Sequence, residues 1–154
     1  LAANLDPAVL QEIRGFEQAG DYENPEYLDL ITEHYYPRHV LRRPPDQWPE
    51  PVNRCFANLN FPIYVHMQGP SEFGVVGDAT LKNWDRKEDL KNIRVPTLSI
   101  GAQYDTMDPK QMEWMANEVP DGRFLYCPEG SHMTMYDDQQ VYFEGIAEFI
   151  HGLS

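Results

Sequence analysis

The sequence predicts an α/β fold in which parallel strands with flanking helices follow a helical region. Three observations predict it. Short helical patterns punctuated by proline fill about the first 90 residues, whereas the last 60 or so alternate between strand and helix patterns, with the change placed at Asp85 to Ile93. Val95-Pro96-Thr97-Leu98-Ser99-Ile100-Gly101 is an apolar run rich in β-formers and closed by glycine. Finally, the order strand, loop, helix, strand defines a βαβ unit, whose right-handed crossover makes the strands parallel and brings both carboxyl ends to one edge.

The first part opens with Asp6 as a helix N-cap and Pro7 at the first helical position. Leu5 and Leu10 form a possible hydrophobic staple, and Val9, Ile13 and Phe16 recur on one face of a helix over about 7–18. Asn24-Pro25 repeats the start signal, and Tyr27, Leu30, Ile31, His34 and Tyr35 continue at helical spacing until Pro37. A polar, proline-rich connection from Arg42 to Pro51 leads to a third helix carrying Val52, Cys55, Phe56 and Leu59. A short fourth helix runs from Pro62 to Met67 and is ended by Gly69-Pro70. These faces are too few and too short for an independent bundle, so the region reads as a cover for something else.

In the second part, the Val95–Gly101 run is predicted to be a strand buried on both faces. A loop from Ala102 to Asp108 follows, with Asp108 as N-cap of a helix that Pro109 opens and that Met112, Met115, Ala116 and Val119 line. Arg123 to Cys127 is a second short strand, ended by Pro128. The last helix, about 138–150, has Tyr142, Ile146, Phe149 and Ile150 to pack back against the sheet.

Composition narrows the function classes. The chain has 154 residues, 42% of them hydrophobic, which is ordinary for a globular protein and leaves room for one domain or pieces of two. A formal charge of -13 repels a phosphate backbone, and no basic stripe with interleaved aromatics is present, so nucleic acid is not an expected partner. Solubility is the simpler cause of that charge, although it would also favour a cationic small molecule. No apolar stretch approaches the roughly 20 residues of a membrane span. The chain starts Leu-Ala-Ala-Asn-Leu, with neither a methionine nor a signal peptide, and a longer protein is expected. A soluble protein is expected, and the sequence does not choose between cytoplasm and periplasm. Cys55 and Cys127 match no metal or redox spacing and read as small core residues.

Each predicted strand delivers one residue capable of acid–base chemistry just past its carboxyl end: Asp105 after Gly101, and His132 within Cys127-Pro128-Glu129-Gly130-Ser131-His132-Met133. A histidine removes a proton from a hydroxyl only when its tautomer and orientation are fixed, which a carboxylate opposite Nδ1 achieves. Either residue alone reads as turn chemistry; together, in the order acid then base, they match a catalytic pair. None of Ser71, Ser99, Ser131 and Ser154 lies in a G-x-S-x-G elbow, and Ser131, adjacent to His132, points away on an extended loop. His34 and His39 are five apart around Pro37, off the zinc pattern and without a third ligand, so no metal is expected. Met133, Met135 and Trp114 read as packing residues.

The segment from Val95 to Ile150, with Pro96-Thr97-Leu98, Tyr104-Asp105, Pro109 and Gly130-Ser131-His132, resembles the C-terminal catalytic part of α/β-hydrolases. Tyr22-Glu23-Asn24-Pro25-Glu26-Tyr27, Gly69-Pro70-Ser71-Glu72-Phe73 and Leu81-Lys82-Asn83-Trp84-Asp85 resemble the cap segments of proline iminopeptidases and related amino-acid amidases. The resemblance implies a helical cap over 1–88 and the C-terminal part of the hydrolase core over 89–154. It implies a serine hydrolase releasing an N-terminal proline or other small residue through an acyl-enzyme, with no cofactor, His132 as base and Asp105 as its partner. The serine nucleophile and oxyanion hole would come from an N-terminal part of the same hydrolase. Family members meet the substrate's ammonium with cap carboxylates; Glu72 is the first choice for that role and Glu23 the second, with Phe73 as an apolar wall. The alternatives are an epoxide hydrolase or dehalogenase with an aspartate nucleophile, and a non-catalytic binding module of the same fold.

Overall fold

The computed structural model describes residues 5–153; the first four residues and Ser154, one of the serines weighed above, lie outside the described residues. The chain divides into two compact units. One comprises residues up to Arg38 together with Arg43–Trp84, the other His39–Arg42 together with residues from Asp85 onward.

The first unit is helical. Helices α1 (Pro7–Ala19), α2 (Pro25–His34), α3 (Tyr36–His39), α4 (Glu50–Ala57) and α5 (Phe61–Met67) are joined by loops and by 3₁₀ turns at Pro45–Gln47 and Thr80–Asn83. Asp6 and Asn24 cap α1 and α2 by accepting the backbone N–H of Ala8 and Glu26, each cap worth about 1 kcal/mol. Asn60 caps α5 in the same way. Ile13, Tyr27, Ile31 and Tyr35 form the interior, and Phe16 and Tyr22 meet the Tyr27 ring edge-on. A second aromatic group joins Tyr36, Trp48 and Phe56, with Trp48 and Phe56 ring centres 5.4 Å apart.

Two details depart from expectation. Pro37 does not simply end α2, which stops at His34; it sits in the first turn of α3, where its missing N–H costs nothing. Cys55 is exposed rather than in the core: Val52 is the buried residue of α4, while Cys55 lies at the edge of that face, beside the exposed Pro51, Arg54 and Asn58.

The second unit is built on strands β1 (Thr97–Ala102) and β2 (Gly122–Cys127), paired in parallel from Thr97 opposite Gly122 to Ala102 opposite Cys127. Between them runs α6 (Pro109–Glu118), capped by the Asp108 carboxylate on the Lys110 N–H and packed on both strands through its buried Ala116. A 3₁₀ turn at Lys87–Asn92 precedes the sheet, and α7 (Thr134–Asp137) and α8 (Gln139–His151) follow it. Gly122 is required where it stands, because a Cβ there would overlap the Ala116 carbonyl at the end of α6.

The prediction of a strand buried on both faces is corrected: Thr97 to Ile100 are only partly buried, and Val95, before the strand, is 63% exposed. Among the described residues β1 has one neighbouring strand, so burial reaches it from one edge only. Ile150 is likewise exposed instead of packed on the sheet. The contact of α8 with β2 runs through Gly145 against Leu125, and the Phe149 ring lies under Arg123. Cys127, by contrast, is fully buried.

Candidate active site

Parallel pairing in register decides where the two strands discharge their chains: Ala102 and Cys127 are opposite each other, so both following loops leave from one edge. Backbone hydrogen bonds lace the loops together. Gln103 N–H donates to the Cys127 carbonyl at 3.0 Å and Tyr104 N–H to the Gly130 carbonyl at 2.9 Å. A Cβ on Gly130 would overlap the Thr134 side chain and approach the Ala102 Cβ at 3.1 Å, so glycine is the residue that lets the second loop close on the end of β1.

This lacing delivers His132 Nδ1 to 3.0 Å from Asp105 Oδ1, across 27 positions of sequence. The same oxygen accepts from the Thr106 hydroxyl at 3.1 Å and the Met107 N–H at 3.2 Å. Burial raises the Asp105 pKa, but the His132 hydrogen bond and charge, with those two further donors, outweigh it and hold the carboxyl below 3.8. Asp105 is therefore ionised at neutral pH. A carboxylate only accepts, so Nδ1 carries the proton and Nε2 is the basic nitrogen of the neutral ring. The His132 side chain is 30% exposed and that of Asp105 14%, an arrangement with the acid inside and the base toward solvent.

The described serines are engaged elsewhere. The Ser71 hydroxyl accepts from the Phe73 N–H, and that of Ser99 donates to the Met112 carbonyl. Ser131 is fully buried, its hydroxyl 2.9 Å from the Val40 carbonyl and in contact with the Asp137 carboxylate. Among the described residues no cluster of three or more His, Cys, Asp and Glu side chains could hold a metal, and no helix is long and apolar enough to cross a membrane.

In the first unit, Glu72 follows α5 and its carboxylate accepts from the Tyr64 hydroxyl at 2.7 Å and from the Gln68 amide at 3.2 Å. Its own N–H donates to the Tyr36 hydroxyl at 3.2 Å. Desolvation, followed by the hydrogen bond to Glu72 and its charge, pushes the Tyr64 hydroxyl far above its usual range, so Tyr64 stays a donor. Tyr36 is pushed up to about 12, mainly by burial. Phe73 beside it is held edge-on by Tyr35 at 4.9 Å and stacked under the Arg14 guanidinium at 5.6 Å. Glu23 is exposed and lines a cavity of about 630 Å³ together with Asp21, Asp78, His66, Phe61 and Val65; Glu72 is not part of that lining.

The structure thus brings Asp105 and His132 together, ties Glu72 to Tyr36 and Phe73 to Ser71, and puts Glu23 in a different part of the helical unit. Sequence reasoning missed Thr106, Tyr64 and Gln68. The last two lie four apart on α5 and its C-cap, but Glu72 reaches them only because the chain turns back after Gly69-Pro70, which spacing on a helix does not predict.

No protein-family model matches the chain. Among curated proteins it is 50% identical over 150 residues to a proline iminopeptidase of Chitinophaga pinensis, a match covering 97% of this chain and 50% of that protein. Among solved structures, the crystal structure of VinJ superposes with a TM-score of 0.87 at 28% identity, over 99% of this chain and 51% of that one. The crystal structure of proline iminopeptidase from Mycobacterium smegmatis superposes at 0.78 with 30% identity, over 98% and 50% respectively. The chain spans about half the length of the curated relatives it matches.

Proposed function

Because the chain is homologous to proline iminopeptidases and has the fold of the C-terminal portion of an α/β-hydrolase, we propose that it supplies the acid and base of a serine hydrolase acting on N-terminal prolyl or other small aminoacyl bonds. The observation that carries the reading is the 3.0 Å pairing of His132 Nδ1 with an ionised Asp105 just past the carboxyl ends of two parallel strands. In this mechanism His132 Nε2 takes the proton of a serine hydroxyl as it attacks the scissile carbonyl. The imidazolium, stabilised by Asp105, returns that proton to the leaving amine, and water repeats the cycle on the acyl-enzyme. No cofactor enters.

The serine and the oxyanion-hole amides belong, on this reading, to the part of the hydrolase that the chain does not span. Support comes from the sheet. Two parallel strands alone are an unstable unit, since parallel sheets are covered on both faces, and here Val95 and Tyr126 stay 63% and 41% exposed. Further strands and helices of the same hydrolase would cover that surface.

Glu72 is proposed to meet the substrate's ammonium, with Phe73 as the apolar wall and Glu23 as a second carboxylate. A carboxylate held only by the neutral donors Tyr64 and Gln68 keeps its full negative charge for a cation, which supports Glu72 over the more exposed Glu23.

The gene sequence ahead of Leu1 tests the assignment. A Gly-x-Ser-x-Gly elbow is the expected result. An aspartate at the elbow position would replace the proposal with an epoxide hydrolase or dehalogenase, and no elbow at all would replace it with a binding module. Prolyl-amide turnover by the isolated 154-residue chain would overturn the claim that the nucleophile lies elsewhere.

A further inference from the structure

We infer that His39 is a positioning residue for the Asp105–His132 pair, fixing the loop of the acid with its side chain and the loop of the base with its backbone. The inference rests on the reading of that pair as acid and base. His39 is 4% exposed and its Nδ1 lies 2.8 Å from the carbonyl of Tyr104, the residue before Asp105. A carbonyl only accepts, so Nδ1 donates, and the tautomer of His39 is set. On the other side, the His39 carbonyl accepts the N–H of His132 itself at 3.0 Å. One buried residue therefore touches both loops within one position of each member of the pair.

The segment carrying His39 is itself anchored in the second unit. Val40 and Leu41 are fully buried, and the Val40 carbonyl accepts the Met133 N–H at 2.8 Å. The Arg42 N–H donates to the Asp137 carboxylate at 3.2 Å, and its guanidinium donates to the Glu129 carbonyl at 2.7 Å while lying 3.8 Å over the Tyr104 ring. The ionisable groups on these elements include Asp105, Asp108, Glu129, Asp137, Asp138, Tyr104 and His132 on the loops and His39 and Arg42 on the segment. Catalytic groups must be held within about 0.5 Å of productive geometry, and a displacement of about 1 Å costs on the order of 100-fold in rate. A strut that bonds to both loops supplies that constraint.

The test uses two amide substitutions. In His39→Asn the side-chain amide takes the place of Nδ1–H and retains the donor to Tyr104, whereas in His39→Gln the amide lies where Nε2 was and loses it. In the whole enzyme, the His132 imidazole is followed by carbon-13 NMR against pH and assigned by its absence in His132→Gln. Pairing with an ionised carboxylate raises a histidine pKa, so loosening the pair lowers the titration midpoint; His39→Gln is expected to lower it by about half a unit or more, and His39→Asn to leave it unchanged. Equal midpoints in the two variants, or an unmoved midpoint in His39→Gln, would overturn the proposal. If His39→Gln does not fold, Arg42→Lys decides: it keeps the positive charge but gives up the guanidinium's fit over the Tyr104 ring, loosens the same segment and must lower the midpoint, and an unmoved midpoint there is equally fatal. The readout needs no turnover. A His132 that responds to His39 but is dispensable for hydrolysis would refute the proposed function alone, and a His132 essential for hydrolysis but indifferent to His39 would refute this inference alone.

Discussion

The two carboxylates at the centre of this account, Asp105 in the sheet unit and Glu72 in the helical unit, are fixed in opposite ways. Asp105 faces a titratable partner 27 positions away and is set by the lacing of two loops from parallel strands. The donors to Glu72 lie four and eight positions away, on a single helix and the residue that caps it, and both are neutral. A carboxylate paired with histidine has its charge committed to orienting and stabilising that ring, whereas one held by a phenol and an amide keeps its charge for a ligand. On the proposed function, the difference suits the first to orienting a base and the second to meeting a cation.

Substitution at Glu72 tests that division most strongly. In the whole enzyme Glu72→Gln should lower kcat/KM for substrates with a free α-amine by about 10- to 100-fold, the loss of a charge-assisted contact, and leave esters without an amine near the wild-type value. Equal losses on both substrates would show that Glu72 serves the fold and not the amine.

A smaller effect separates the two units in packing. Gly130→Ala should destabilise the chain by about 1–3 kcal/mol in urea unfolding, because the added Cβ overlaps Thr134 beside Ala102. Gly74→Ala, next to Phe73, has open space at its Cβ and should change stability little. Similar losses in both would mean that the closeness of the catalytic loops is not the cause.

The smallest effect concerns acid. The Asp105 carboxyl is held below its unfolded value, near about 3.9 for an aspartate, so the depression contributes stability that is present above the unfolded value and lost as pH falls through the folded one. The stability difference between wild type and Asp105→Asn should therefore shrink as pH falls below about 4. A difference that held constant through pH 3 would contradict the depressed value.

Much of this was legible in the sequence, for reasons that particular residues make plain. Asp6-Pro7, Asn24-Pro25 and Asp108-Pro109 announce helix starts through local chemistry, and all three were found in place. The run ending at Gly101 and the run ending at Cys127 gave the strands, and the handedness of the crossover then put Asp105 and His132 on one edge. The role of His39 was out of reach, because its partner is a carbonyl 65 positions away and spacing on one helix says nothing of it. Val95, Cys55 and Ile150 misled for another reason: apolarity marks what a residue can bury against, and each is exposed here.

The most direct test of the central claim is prolyl-amide hydrolysis by the whole enzyme carrying His132→Ala or Asp105→Asn, each confirmed to be folded. The account predicts a loss in kcat of about 10⁴-fold for Asp105→Asn and about 10⁶-fold for His132→Ala, the scales on which removing the orienting carboxylate and the base act in such a relay. Turnover within a few-fold of wild type in both variants would contradict it and reduce the pair to a structural hydrogen bond.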